Sequence, residues 1–442
     1  VAVGTASVVI DVSVIVPVFN KGRYLAELID SLRRQTSDSF EVWLVDDGST
    51  DGCAELCDQA AASDARFHVI HQENSGWPGR PRNVGIDAST GRFLFFADAD
   101  DWCEPSLLAD LVAFADAHRS DVVLPAVLSE GHTYTTREPV LEDAVDVDPR
   151  EAFLTLTPHK LFRRSYFDGL GLRFTEERVP LEDGQLVARA YVGGGRISRF
   201  GQRLGYHYMG REGSNLSYEP RDPTAHARSV AAIMDSARRL PEHADEIIVD
   251  LYRRKLLRYL GPRHLPGMPA DLQAGYVNAA ADVAARFIPM ELESTLTAWP
   301  RLSSRTARLR QPGISVALAQ ARADDLVPAE RSNGHWFIGP VPADDIVVAR
   351  PKVRKDPSRG VRVVSRPDWV RISAPRLEYR VEGRVVGADE DLRPRGRLGG
   401  VGHAVACWDD LEVPVAYDGE PVVLNRLRYS ADDQGQLVVF GV

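Results

Sequence analysis

Several short stretches of this chain concentrate the residue types that do chemistry. The densest is FFADADDW at 95–102, where Asp98, Asp100 and Asp101 follow an apolar run within four positions. Carboxylates that close repel one another, so they stay ionised only beside a cation, basic partners or ample solvent. An acidic turn and a seat for a divalent cation both meet that condition. Spacing alone does not choose, because Asp-x-Asp recurs at 146/148 and 389/391. VDDGSTDG (45–52) adds Asp46, Asp47 and Asp51, the last of which reads as a helix N-cap. NSGWPGRPRNVG (74–85) sets Arg82 and Asn83 at the opening of a helix, whose N-terminus favours anions. LEDGQL (181–186) places Glu182 and Asp183 at another helix start. Two acids there are stabilised by the helix dipole, and a carboxylate within reach of a hydroxyl can take its proton.

Positioning these residues requires a scaffold, and the first 125 residues supply a regular one. VSVIVPV (12–18), FEVWLVDD (40–47), RFHVIHQ (66–72), GRFLFFAD (91–98) and DVVLPAV (121–127) read as strands. Between them, GRYLAELIDSLRRQT (22–36), DGCAELCDQAAAS (51–63), GRPRNVGIDAST (79–90) and EPSLLADLVAFADAH (104–118) read as helices; Leu25, Leu28, Ile29 and Leu32 share one helical face. Such alternation predicts an α/β fold, a mostly parallel sheet with helices on both faces and ligands at the carboxyl ends of its strands. The polar clusters at 17–20, 46–51, 74–82 and 98–101 fall at those ends. No GxGxxG follows the first strand and no GxxxxGK[ST] occurs, so a nucleotide would have to be held by side chains and a metal.

Residues 130–150 read as a loop or irregular strands, and VPLEDGQLVARAYVGGG (179–195) as a further helix. From about 222 to 325 the pattern is helical, with Ala-rich stretches at 224–239 and 270–287. From about 332 short strands separated by Pro, Gly and Asp turns predict a small all-β region, a sandwich or barrel.

Taken in order, VPVFN (16–20), VDDGSTDG, NSGWPGRPRNVG, FADADD (96–101), HKLFRRSYF (159–167), LEDGQL and YHYMGREGSNLS (206–217) resemble the nucleotide-sugar-binding half of family 2 glycosyltransferases with the GT-A fold. The resemblance covers about half the chain. It implies a GT-A catalytic domain over 1–221, a helical linker or acceptor region over 222–330, and a β-rich domain over 331–442 for oligomerisation or polymer binding. It further implies inverting transfer from a UDP-sugar, dependent on Mn²⁺ or Mg²⁺. In that family the second acid of LEDGQL is the base, here Asp183, with Glu182 orienting metal or sugar. Asp100 and Asp98 would take the metal, with Asp98 also able to reach the ribose. Asp47 would read the uracil and Asp46 serve structure, while Pro17, Phe19 and Asn20 wall the base pocket; for Phe19 core packing is the alternative. Arg82 and Asn83 would meet the diphosphate or shape the base pocket, with a structural ion pair the alternative for Arg82. His207 would complete the metal sphere or donate to phosphate, and Arg211 and Ser214 would close over the diphosphate. Trp77 would stack on a sugar face or be core. The Pro-Arg-Asn form at 81–83 is similar to enzymes that glycosylate polyol-phosphate wall teichoic acid, which implies an anionic polymer acceptor and N-acetylglucosamine or a similar hexose. Transfer to a capsular or lipid-linked glycan is the alternative, and a non-catalytic sugar- or polyanion-binding protein a more distant one.

Composition bounds these readings. A chain of 442 residues exceeds one ordinary core, and 44% hydrophobic with 26% charged residues is a globular balance. No apolar run of about 18 residues offers a membrane span. The apolar start lacks a basic segment and is expected to be a strand rather than a signal peptide. A net charge of −10 disfavours indiscriminate nucleic-acid binding. Four cysteines without a CxxC pair suggest neither a disulfide framework nor a zinc site, which fits a reducing cytoplasm. The inner membrane face, where lipid-linked acceptors lie, is the place of work that such acceptors would imply. YRRKLLRYLGPRH (252–264) and RLSSRTARLR (301–310) are locally basic, either solvated helix faces or a polyanion track.

Overall fold

The structure is a computed structural model that describes residues 9–131, 139–211, 222–296 and 298–323, with short strands between 327 and 441. By internal contacts it divides into two units, one of 1–221 with 231–247 and the other of 222–230 with 248–442.

The first unit opens with β1 (Val12–Val18), α1 (Gly22–Arg33), β2 (Phe40–Asp46), α2 (Cys53–Ser63), β3 (Phe67–His71), α3 (Gly79–Ala88) and β4 (Phe93–Phe96). After these come β5 (Trp102–Cys103), α4 (Leu107–His118), β6 (Val122–Glu130), α5 (Pro149–Ala152), β7 (Leu161–Arg163), α6 (Arg164–Gly169), α7 (Glu182–Tyr191) and β8 (Ile197–Met209). The strands form one sheet in the order β3-β2-β1-β4-β7-β6-β8-β5. β3, β2, β1 and β4 run parallel; β7 is antiparallel to β4 and β6, β8 is parallel to β6, and β5 is antiparallel to β8.

The parallel half explains its own composition. Helices cover both faces, so its strands are apolar almost throughout instead of alternating. Val12, Val14, Ile15, Val16 and Val18 of β1 are buried, as are Phe93 to Phe96 of β4. Each such side chain contributes roughly 1.5–3 kcal/mol of burial. The polar exception, Ser13, donates to Glu41 Oε1 at 2.7 Å and accepts from Gly91 N at 2.8 Å. On α1 the predicted face is the buried one: Leu25, Leu28, Ile29 and Leu32 point inward. Phe96, Phe162, Phe167 and Phe174 pack edge to face or tilted, with ring centroids 5.0 to 6.0 Å apart, and seal the sheet beneath the acidic turn.

The helical stretch begins with α8 (Pro223–Ala237) and α9 (Ala244–Leu251). It continues through a π turn (Tyr252–Leu256), a 3₁₀ turn (Leu257–Leu260), α10 (Ala270–Phe287), α11 (Met290–Glu293), α12 (Ala298–Arg308) and α13 (Pro312–Ala323). Several of its basic residues pair with acids of the same stretch. Fully buried Glu293 takes Arg305 Nε at 3.2 Å and Arg308 Nε at 2.9 Å, Arg310 meets Asp282, and Arg253 and Arg254 pair with Asp250. At least two of the five cations in 252–264 and three of the four in 301–310 thus make ion pairs within the chain, a use that composition does not reveal. Beyond 326 the described residues are strands in antiparallel pairs, among them Arg362–Arg366 with Trp369–Ser373 and Leu427–Ala431 with Leu437–Gly441. The sandwich or barrel expected there lies mostly outside the described residues.

Candidate active site

The acidic turn follows β4 directly, and its three carboxylates have three different environments. Asp98 meets Arg82 Nη2 through Oδ1 at 2.9 Å and His159 Nε2 through Oδ2 at 3.1 Å. Burial alone would raise its pKa, but His159 and Arg82 outweigh burial and hold the carboxyl well below the usual range. Asp101 is fully buried and accepts from Tyr206 Oη and Met209 N, both at 2.7 Å. Burial, then the charges of Asp98 and Asp100, push it well above the usual range. Asp100 turns the other way and meets Lys21 Nζ at 2.7 Å. The repulsion expected from the sequence is therefore relieved residue by residue, through basic partners, hydrogen bonds and a raised pKa.

Arg82 connects this turn to the acid pair. It is buried on α3, stacks its guanidinium 5.0 Å from the Phe174 ring centroid, and reaches Glu182 Oε1 with Nη1 at 3.0 Å. Glu182 begins α7. Burial first and the Asp183 charge second push its carboxyl up to about 7, with Arg82 opposing. Half-buried Asp183 accepts from Gly184 N at 2.7 Å. Leu181, just before the pair, is at φ 58°, a left-handed conformation costly for a branched side chain and characteristic of functional turns. Lys160 is buried nearby in the fold and donates to Thr157 O; burial depresses its pKa to about 7, with the Asp183 charge opposing.

The other strand ends complete the surround. Asn20, at φ 49°, accepts from Thr50 N at 2.8 Å and so ties the β1 end to the β2 end. Phe19 beside it is 43% exposed, which removes the core-packing alternative, and Pro17 is half-buried within β1. Asp47 is buried and accepts from Ser75 N at 3.0 Å and Ser75 Oγ at 2.8 Å, pinning the 72–77 loop across it. Asp46 holds Ser49 N at 3.0 Å and His71 Nδ1 at 3.0 Å, the structural role expected. Asn83 uses its amide on Phe174, accepting from its N–H at 3.0 Å and donating to its carbonyl at 2.9 Å. Trp77 is half-buried, with Arg178 5.8 Å from its ring centroid.

Arg211 reaches the acidic turn, donating from Nε to Asp100 O at 3.3 Å while Nη2 pairs with Glu27. Ser214 lies outside the described residues. His207 is engaged elsewhere: its ring stacks on Trp102 at 3.4 Å, and its nitrogens meet Glu104 at 3.0 Å and Glu130 at 3.1 Å. The histidine that joins the aspartates is His159, stacked on Tyr206 at 4.5 Å. Sequence reasoning quoted its segment and gave it no role; only its position just before β7, opposite β4, marks it. Lys21 was missed for the same reason.

Divalent ions such as Mn²⁺ and Mg²⁺ favour carboxylate oxygens, with imidazole acceptable to Mn²⁺. Ligand atoms of Asp98, Asp101 and His159 all lie within 4.8 Å of one another, and Asp100 already holds a cationic ammonium. The residues present fit such an ion.

Residues 13–175 match the glycosyl transferase family 2, and residues 220–319 match the glycosyl transferase TarS linker domain. The chain therefore carries a family 2 glycosyltransferase domain, and the GT-A fold expected of it is the fold found. Among its relatives is the poly(ribitol-phosphate) beta-N-acetylglucosaminyltransferase TarS of Staphylococcus aureus, 32% identical over 250 residues, which are 55% of this chain and 44% of that protein. The putative glycosyltransferase EpsH of Bacillus subtilis is 32% identical over 45% of this chain and 60% of its own length. The crystal structure of S. aureus TarS 1–349 in complex with UDP-GlcNAc superposes with a TM-score of 0.65 at 24% identity, covering 76% of this chain and 98% of that one. The chain thus matches less than half the length of the staphylococcal relative. Among the described residues, no helix is long and apolar enough to cross a membrane.

Proposed function

We propose that the protein is a metal-dependent, inverting hexosyltransferase. It would move N-acetylglucosamine or a similar hexose from a UDP-sugar to a hydroxyl of an anionic cell-wall polymer such as teichoic acid. The observation that carries this reading is the ion chain Glu182–Arg82–Asp98–His159, buried except at half-buried Asp98, which fixes the acid pair of α7 relative to the acidic turn. The relatives support the acceptor class: the staphylococcal protein and a Bacillus spizizenii beta-glucosyltransferase, 29% identical over 211 residues, are both named for poly(ribitol-phosphate).

In this reading Pro17, Phe19, Asn20 and Asp47 frame the base. Arg82 and Asn83 brace the pocket, and Arg211 faces the diphosphate, a role to which the family resemblance also assigns Ser214. Asp98 and Asp100 present oxygens to Mn²⁺ or Mg²⁺, which when bound supplies Lewis-acid stabilisation of the departing diphosphate. Asp183 takes the acceptor proton as the hydroxyl oxygen attacks the anomeric carbon. The bond from that carbon to the diphosphate oxygen breaks on the opposite face, so configuration inverts. Glu182, held by Arg82, orients the sugar. Residues 1–221 are the catalytic domain, 222–330 the acceptor region, and 331–442 the oligomerisation or polymer-binding part, in a protein working in the cytoplasm at the inner membrane face.

Calorimetric titration of UDP and UDP-N-acetylglucosamine, with Mn²⁺ and then with EDTA, tests the donor. Metal-dependent binding of both, followed by transfer of labelled sugar to poly(ribitol-phosphate), is expected. Absence of nucleotide binding under both conditions would overturn the reading.

A further inference from the structure

The loop after β1 delivers a cation to the acidic turn. Lys21 Nζ lies 2.7 Å from Asp100 Oδ2, and the two side chains are only 19% and 7% exposed. The base of this lysine is firmly placed. The N–H groups of Lys21 and Gly22 donate to Cys53 Sγ at 3.2 and 3.0 Å, and Asn20 before it is tied to Thr50. The four-carbon stem carries several rotatable single bonds, so the charge can change position by ångströms while the backbone stays still.

We propose that Lys21 is a donor-binding residue that changes partners: its ammonium occupies the cation position at Asp100 in the nucleotide-free protein and moves to a diphosphate oxygen when metal and nucleotide enter. The inference rests on the donor reading above. A divalent ion on Asp100 would sit within a few ångströms of the ammonium, and at that separation in a poorly solvated pocket the two cations repel strongly. One must leave. A nucleoside diphosphate gives the displaced ammonium an anionic partner beside its starting point. Metal alone therefore binds weakly, and metal and nucleotide each strengthen the other's binding, a coupling that is reciprocal by linkage.

The test is calorimetric titration of the full chain and of Lys21→Met and Lys21→Gln, each first checked for an unchanged melting temperature. Mn²⁺ is titrated alone, and UDP is titrated at saturating Mn²⁺. Both variants should bind Mn²⁺ alone about tenfold more tightly than the unaltered protein, and UDP about tenfold more weakly. Unchanged Mn²⁺ affinity in both variants overturns the proposal, whatever UDP does. Should the unaltered protein fail to bind UDP at all, the donor reading falls instead, and the Mn²⁺ titration still decides whether Lys21 competes for the cation position.

Discussion

Arg82 and Glu182 stand 100 residues apart in the chain and meet at 3.0 Å in the buried floor of the site. The same guanidinium holds Asp98 at 2.9 Å, so a single side chain sets the position of the acid helix relative to the acidic turn. Buried Glu182 and half-buried Asp98 share this cation, and removing one member of a buried pair leaves its partner uncompensated. Arg82→Ala should lower stability by about 3–5 kcal/mol, visible as a large drop in melting temperature. Arg82→Lys, which lacks the fork needed to serve both acids, should fall between. An alanine variant melting with the unaltered protein would show that the bridge carries no structural load.

The raised pKa of Glu182 has a consequence for pH. Its folded value, about 7, lies above the ordinary 4.5, so the folded state binds the proton more tightly. The stability it contributes is fully present below about 4.5 and is lost as pH rises through about 7. Lys160 runs the other way: its contribution is present above the ordinary 10.5 and lost as pH falls through about 7. Comparing the protein with Glu182→Gln cancels the lysine to first order. Between pH 5 and 8 the stability difference should move toward the glutamine variant by roughly 2 kcal/mol. Urea denaturation at a series of pH values measures it, and a difference that does not vary with pH would contradict the assignment.

Much of this arrangement was legible in the sequence, and the part that was not has a physical cause. β1 to β4 and the helices between them announce themselves, because a sheet buried on both faces needs unbroken apolar runs. β8 does not. Its sequence, ISRFGQRLGYHYM, mixes arginines and glycines with no clean period, and its strand character is fixed by pairing with β6 and β5. Gly201 and Gly205 are there because a Cβ would come within 2.3 Å of Glu142 N and 2.6 Å of Leu107 Cδ1. The acidic turn and the acid pair were found from residue type and spacing. Their partners, His159, Tyr206 and Lys21, were not, since nothing local distinguishes a lysine that crosses to Asp100 from one in solvent.

Gly79 offers a steric test of how tightly α3 is seated. A Cβ at this position would lie 1.9 Å from Thr175 O, a backbone atom that cannot swing aside. The neighbouring Phe174 is pinned by Asn83, so the 174–176 segment has little room to retreat. Gly79→Ala should therefore destabilise by about 1–3 kcal/mol despite the helix preference of alanine. Hydrogen exchange should quicken at 172–178 and at the start of α3. Unaltered melting and exchange would mean the segment yields freely.

Asp183 separates chemistry from binding. It is half-buried and makes no ion pair shorter than 4 Å among the described residues, so Asp183→Asn changes a proton acceptor with little change in shape. Loss of a positioned base typically costs 10²–10⁴-fold in rate. Transfer to polymer should fall by about that factor, while Mn²⁺-dependent UDP binding and the melting temperature stay near those of the unaltered protein. Asp100→Ala should do the reverse in binding, weakening UDP only when Mn²⁺ is present. Near-normal turnover in Asp183→Asn would move the base to Glu182, whose pKa near 7 and contact with Arg82 make it the next carboxylate able to take the proton.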